Sequence, residues 1–459
     1  MQLDYQVNQR PPLGKNFVYA LQQVLAILVA TILVPQLVGH GMSEAAALFG
    51  AGVGTIIYLL FTKFKSPVFL GSSFAFMPSM AVAFGSAAAY GYLGFAGLLV
   101  GAVLAGLVYV VLALVVKFCG TNWIDKVMPM VVIGPTVALI GLSLAGTAIK
   151  AVMRFEEFNG DLSAYYLTLN SAAGIICGLS ALFATIIASV YGGKNIKIIP
   201  FIIGIGTGYI VATIFTLIGK WASIPEFEVI NFAVFANIAK AESWYPQFTF
   251  INAFKGFKDF DLGYFGTIAL AYVPVGFVVF AEHLADHKNI SSIIGSDLLK
   301  DPGLDRTLLG DGIGSMAGAF FGGCPNTTYG ESIGCVAISK NASVSTILIA
   351  ACMCIVISFI APIELFLASI PGCVINGVCI ALYGFIAVSG LKMIQKVDLE
   401  DGGNLFTVSS ILITGVGSFA LTIGGKVTIT EIACALIIGI LVNFVVNIKK
   451  NKSKKTENK

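Results

Sequence analysis

The stretch "LGFAGLLVGAVLAGLVYVVLALVV" (93–116) decides the class of this chain. It carries no charge, and as a helix rising about 1.5 Å per residue it outruns the roughly 30 Å of hydrocarbon in a bilayer. A second such window, "LQQVLAILVATILVPQLVG" (21–39), precedes it, and others recur along nearly the whole sequence. The 459 residues are 57% hydrophobic and 11% charged, with a mean hydropathy of +0.91. Soluble domains carry about 25% charged residues, so a large soluble enzyme is excluded. The composition predicts an all-α polytopic membrane protein.

Apolar segments fall near 16–38, 43–62, 67–85, 91–117, 128–149, 169–191, 197–218, 263–286, 307–323, 325–339, 343–361, 371–391, 404–423 and 427–448. That predicts about 14 transmembrane segments. The start, "MQLDYQVNQRPPLGKN", lacks the basic opening of a signal peptide, so the first segment reads as retained. Of the 27 lysines and arginines, only Lys150, Arg154, Lys220, Lys240, Lys255, Lys258 and Lys426 fall in the expected outer segments. This bias predicts both termini on the cytoplasmic side of the inner membrane. The outer loop near 219–262, with its "WYPQF", is expected against the membrane surface, and the lysine-rich end (449–459) as an unstructured basic anchor at the inner leaflet. Nine cysteines in or beside apolar runs, without a CxxC pair, imply buried thiols rather than a disulfide framework or a zinc site. No cofactor, metal or nucleic-acid partner is implied.

Two stretches share an order of features. "AGVGTIIYLLFTKFKSPVFLGSSF" (51–74) and "DGIGSMAGAFFGGCPNTTYGE" (311–331) each run from a glycine-rich helix start through an apolar run to a proline and small polar residues. They lie seven segments apart, so a true repeat would be inverted across the membrane, an architecture of transporters. Two unrelated kinked helices are the alternative. Non-helical backbone survives at membrane depth only when buried in protein or lining a wet cavity. Residues 67–76 and 325–331 therefore predict facing backbone N–H groups, with Ser72, Ser73, Thr327, Thr328, Tyr329 and Glu331 nearby.

Further carboxylates stand in "VVFAEHLADHKN": Glu282 and, at i+4 on the same helical face, Asp286. Intramembrane carboxylates face a cavity, a partner or a proton path, though the helix could instead be reaching the interface at Asp286–Lys288. Two carboxyl groups with backbone donors suit a neutral heterocycle bearing N–H and C=O groups. Acids removed from water can exchange protons near neutral pH, which points to proton-coupled uptake. A rival reading takes "HLADH" as an H-x-x-D-H pair, His283 and His287, of a membrane zinc hydrolase, with His40 the only other histidine. A channel is a further rival, but no ring of charges is evident.

Several stretches, in order, resemble the nucleobase–ascorbate transporter family, and within it the bacterial branch that carries uracil. They are "YLLF" with "FLGSSFAF" (69–76), "FAEHLADH" (280–287), "DLLKDPGLDR" (297–306), "PNTTYGESIG" (325–334) and "LYGFIAVSG" (382–390), and the likeness covers nearly the whole chain. The resemblance implies 7+7 inverted repeats, with short β-strands interrupting segments 3 and 10. It implies a core domain (1–126 and 263–362) and a gate domain (127–218 and 363–448), the latter able to form a homodimer. It implies that Glu282 and Glu331 hold the ring, that backbone N–H groups of Phe74 and Gly330 donate to its carbonyls, and that Ser73, Tyr329 and Tyr383 line the pocket. Glu282, Asp286 and Glu331 would couple to protons, sodium being the less expected ion. The chain departs from the family pattern at Asp286, where the uracil branch often has histidine. It departs again at Gln22–Gln23, in place of Gln-His, and at Ser332, in place of Asn. Purine-type relatives commonly carry the aspartate, so a xanthine or purine symporter is the alternative.

Overall fold

A computed structural model describes residues 3–86, 91–121, 123–154, 167–193, 196–240, 244–423 and 427–457. Helices α1 (Leu13–Val38) and α2 (Glu44–Phe61) lead to strand β1 (Leu70–Ser72), a 3-10 turn (Phe74–Phe76) and helix α3 (Met77–Ser86). Then come α4 (Leu93–Cys119), α5 (Ile124–Val127), α6 (Met130–Ser143), α7 (Ala145–Val152), α8 (Leu169–Tyr191), α9 (Pro200–Ala222) and α10 (Thr249–Gly256). The second half begins with α11 (Leu262–Ile294), α12 (Leu304–Gly322), strand β2 (Asn326–Thr328) and α13 (Gly330–Ser339). It continues with α14 (Val344–Ile357), α15 (Ala361–Ser369), α16 (Gly372–Ile394) and α17 (Gly402–Val416). An antiparallel pair, β3 (Leu421–Ile423) with β4 (Val427–Ile429), precedes α18 (Glu431–Glu457).

Among the described residues, nine helices are long and apolar enough to cross a membrane, or ten if α14 and α15, bent by 84°, form one broken span. The other segments of the expected fourteen are short, broken or charged. Residues 67–85 hold β1 and α3, residues 325–339 hold β2 and the ten-residue α13, and α17 has 15 residues. Helix α12 has 19 residues but includes Asp305, Arg306 and Asp311.

Pro67 and Pro325 each stand shortly before a strand, in the breaks that follow α2 and α12. The two strands pair antiparallel, Leu70 with Thr328, Gly71 with Thr327 and Ser72 with Asn326. Backbone bonds from Ser73 N–H to Pro325 C=O (2.9 Å) and from Tyr329 N–H to Phe69 C=O (3.1 Å) extend the ladder. Side chains close the remaining valences. Thr55 Oγ1 accepts from Leu70 N–H at 3.0 Å and donates to its C=O at 3.2 Å, and Asn326 Nδ2 donates to Gly50 C=O at 3.1 Å. Extended backbone is thus tolerated inside the protein because its polar groups are paired.

The two stretches that share an order of features lie against each other. A Cβ on Gly50 would sit 2.5 Å from the Gly318 carbonyl oxygen, and one on Gly54 2.7 Å from that of Gly314. Only glycine lets α2 and α12 approach so closely. At one end of this pair Lys65 Nζ grips both oxygens of Asp301, at 2.6 and 2.8 Å. The connection between α9 and α11 is more than a free loop. Its Phe248 packs on Phe49 (5.0 Å between centroids) and Phe250 stacks on Phe320 (4.8 Å), which pins it to α2 and α12. In its "WYPQF" motif Trp244, Tyr245 and Gln247 stay exposed, while Pro246 is buried. The basic end differs from the unstructured anchor expected: α18 runs on to Glu457, since no proline or glycine interrupts it. All cysteines except Cys119 and Cys352 are buried, as thiols.

Candidate ligand cavity

Two helices begin inside the protein. The turn at Phe74 starts where β1 ends, and α13 starts at Gly330 where β2 ends. First-turn N–H groups lack an acceptor one turn back, so each start presents donors and a partial positive charge. Helix α11 continues to Ile294, so Asp286 lies within it, about two turns before its end. One turn separates Glu282 from Asp286, and both line the same cavity.

That cavity measures about 340 Å³, in the range of ~300–1,000 Å³ typical of small-molecule sites. Its polar wall holds Ser73, Phe74, Glu282, Asp286, Thr327, Thr328, Tyr329, Gly330 and Glu331. The facing wall comes from α6, α8, α9 and α16 and is mainly apolar, with Val137, Ile140, Phe201, Phe385 and Ile386. Lys197, Ser189 and Ser389 add polar groups on that side. Thr328 Oγ1 donates to Asp286 Oδ2 at 2.7 Å. Glu282 Oε2 and Ser73 Oγ are buried with no hydrogen-bond partner among the described residues. The arrangement therefore offers carboxylate acceptors and backbone donors to one small volume.

One expected residue lines the cavity with its polar end committed, and two stand behind the lining. The Tyr329 hydroxyl donates to Ser72 C=O at 2.7 Å, and its ring lies where a Cβ on Gly71 would be. Tyr329 thus borders the cavity with its polar end already committed. Ser72 is buried behind the wall, apart from the lining residues. Tyr383 stands edge-on to Phe74, 5.6 Å between centroids at 79°, one layer back. Its hydroxyl is buried without a partner among the described residues.

A second cavity, of about 570 Å³, lies further along α1 and α6, lined by Leu37, His40, Met77, Ser143, Thr147 and Glu431 among others. The first cavity meets the same two helices at Ala26, Val137 and Ile140. Both cavities thus border α1 and α6.

His283 and His287 are occupied by protein. His283 Nδ1 faces Asp311 Oδ2 at 2.6 Å and its Nε2 faces Thr307 Oγ1 at 3.0 Å. His287 Nδ1 faces the His283 carbonyl at 2.8 Å and its Nε2 faces Tyr58 Oη at 2.7 Å, and Tyr58 reaches Ser66 Oγ at 2.6 Å. With all four ring nitrogens bonded to different atoms, the pair does not converge on a common centre as zinc ligands must. The i, i+4 spacing suggested metal, but it serves a buried polar network instead. Asp311 and Thr307, essential to that network, escaped the sequence reading, although an aspartate inside "LGDGIGS" was a signal. Lys197, Phe201 and Phe385 carried no signal, being ordinary residues of helix ends and apolar runs.

Solved structures share this architecture. The murine Solute Carrier 26 family member A9 anion transporter in the inward-facing state superposes with a TM-score of 0.62 at 10% identity, covering 96% of this chain and 69% of that one. The transmembrane domain of the cyanobacterial bicarbonate transporter BicA does so with a TM-score of 0.58 at 15% identity, covering 96% and 100%. At such identities the likeness is one of fold: an integral membrane protein with the helical architecture of these transporters. The chain belongs to the Permease family, whose model matches residues 14–424, and this is the family that its motifs resemble. It is 36% identical over 437 residues to the uracil permease of Bacillus subtilis, covering 93% of this chain and 91% of the relative. The figures are 37% over 443 residues for that of Bacillus caldolyticus (96% and 94%), and 33% over 443 for that of Escherichia coli K12 (95% and 92%). The protein is accordingly a transporter and not an enzyme.

Proposed function

We propose that this protein takes up uracil across the cytoplasmic membrane by proton-coupled alternating access. The observation that carries the reading is one cavity bounded by Glu282, Glu331 and the helix starts at Phe74 and Gly330. A pyrimidine ring edge alternates N–H and C=O groups. The two glutamates would accept from its N–H groups, and the Phe74 and Gly330 N–H groups would donate to its carbonyls. Ser73 adds a hydroxyl, the Tyr329 ring a wall, and Tyr383 an approach from the far side. Glu282, Asp286 and Glu331 would exchange the coupled proton. The names of the relatives support uracil as the substrate.

The reading includes fourteen segments in two inverted repeats, with α1–α4 and α11–α14 as the moving core and α6–α9 with α16–α18 as the gate. Close glycine packing of α2 on α12 and the β1–β2 pair support that symmetry. Two cavities that each border α1, of the core, and α6, of the gate, support alternating access. Both termini are assigned to the cytoplasm from the lysine and arginine bias, and a dimer is assigned to the gate.

The test is uptake of labelled uracil in cells that lack their own carrier. Glu331→Gln should abolish saturable uptake while the protein still reaches the membrane, and a protonophore should collapse uptake in the parent. Near-normal uptake by Glu331→Gln removes this glutamate from the site, and a sodium requirement without protonophore sensitivity replaces the ion. Competition by unlabelled xanthine or guanine that matches unlabelled uracil would transfer the assignment to the purine alternative, which Asp286 keeps in view.

A further inference from the structure

Gln23 and Ser332, two of the places where the chain departs from the pattern it resembles, touch each other in the fold. Gln23 is 1% exposed and Ser332 0%, and neither is among the residues lining the cavity. The strand register explains why a hydroxyl is required at 332. Leu70 pairs with Thr328, so the next rung should join Phe69 to Tyr329 through two backbone bonds. One is present, from Tyr329 N–H to Phe69 C=O at 3.1 Å. The other is absent, and the Tyr329 carbonyl instead accepts from Ile333 N–H at 3.2 Å as α13 begins. The buried Phe69 N–H would then lack an acceptor, which is costly. Ser332 Oγ takes that bond at 3.2 Å. Gln23 Nε2, from α1, donates to the same oxygen at 2.9 Å and reaches the Ser332 carbonyl at 3.3 Å.

One side-chain oxygen thus fastens the first turn of α13 to the residue that leads into β1 and to α1. Glu331 is the preceding residue on that turn. We propose that Ser332 and Gln23 are positioning residues for Glu331, setting how its carboxyl meets the carried ring and hence the affinity for it. The proposal rests on the reading of Glu331 as a ligand of that ring.

The experiment measures KM and Vmax for labelled uracil, with the amount of protein in the membrane, for the full-length chain. Ser332→Ala should raise KM about tenfold, the effect of leaving about one buried hydrogen bond unmade. Vmax per transporter should stay within about twofold of the parent. Ser332→Thr, which keeps the oxygen, should retain a KM near the parent's. Gln23→Leu should raise KM alone but add less than its full effect in the Ser332→Ala background, where the shared Oγ contact is already gone and only the 3.3 Å bond to the Ser332 carbonyl is left to lose. An unchanged KM in Ser332→Ala, with only the amount of protein reduced, would overturn the proposal in favour of a purely structural role. Fully additive effects would overturn the shared contact. Should Ser332→Ala not reach the membrane, Gln23→Leu decides, because it leaves the Ser332–Phe69 bond intact: a raised KM supports the proposal and a parental KM refutes it. Normal uptake by Glu331→Gln would sink the underlying reading itself. Loss of uptake there beside a normal Ser332→Ala would sink only the positioning role.

Discussion

Gly71 is the most exacting position in the broken segments. A Cβ added there would run into the ring of Tyr329, which is held from moving by its hydroxyl bond to Ser72 C=O at 2.7 Å. Forcing an extra methyl into packed protein costs about 1–3 kcal/mol. If the ring yields, the tyrosine bond goes too, at about 0.5–1.5 kcal/mol. Alanine recovers about 0.4–1 kcal/mol by restricting the unfolded chain. The net expectation for Gly71→Ala is a loss of about 1–3 kcal/mol, on those same scales. It should appear as a lower melting temperature of the detergent-purified protein. Because Tyr329 leads directly into Gly330 and Glu331, it should also appear as a KM for uracil raised about tenfold, the equivalent of 1.4 kcal/mol. The decisive arm is a double-mutant cycle. In a Tyr329→Ala background the methyl has room, so Gly71→Ala should cost little, leaving a coupling of about 1 kcal/mol or more. A Gly71→Ala penalty of the same size with and without the ring would refute the packing explanation, as would a variant with parental melting and KM.

Two further outcomes follow from single contacts. Thr328→Val removes the donor that Asp286 Oδ2 receives at 2.7 Å and should reduce uptake, with a cost of about 0.5–1.5 kcal/mol for the lost hydrogen bond; Thr328→Ser should retain activity, and equal uptake by both variants would show the bond to be idle. Tyr383→Phe deletes a buried hydroxyl without a partner among the described residues, so it should raise the melting temperature of the ligand-free protein while weakening uracil affinity, and unchanged affinity would remove Tyr383 from the approach to the ring.

The membrane-spanning helices were legible because hydrophobic runs of that length have few other uses. The broken segments were legible too, since Pro67 and Pro325 interrupt apolar runs; that Gly50, Gly54, Gly314 and Gly318 bring α2 against α12 emerged only from the structure. Glu282, Asp286 and Glu331 stood out because carboxylates are rare in hydrocarbon, and all three line one cavity. The 84° bend between α14 and α15 was missed, although Pro362 in the first turn of α15 marks where the second helix begins. The apolar wall could not be read at all. Phe201 and Phe385 look like any phenylalanine in a membrane helix, and only tertiary packing brings them opposite Glu282. Histidine partners were hidden by distance: Tyr58 meets His287 across 229 residues of sequence.

A buried carboxylate and a buried helix start are each costly in hydrocarbon, the one for want of donors and the other for want of acceptors. Here both liabilities border the same 340 Å³. They are not simply paired with each other, since Glu282 Oε2 has no partner among the described residues. On the proposed reading, the missing partner is the cargo. A ligand with acceptors only would leave the glutamates unmatched, and one with donors only would leave the N–H groups of Phe74 and Gly330 unmatched. A ring edge that alternates N–H and C=O satisfies both sets. Sites built from buried polar groups reject analogues lacking one partner by as much as about 10⁴–10⁵. N-methylation of the ring, which removes a donor and adds bulk, should therefore be among the most damaging changes to the substrate, well beyond what the lost contact area alone would account for.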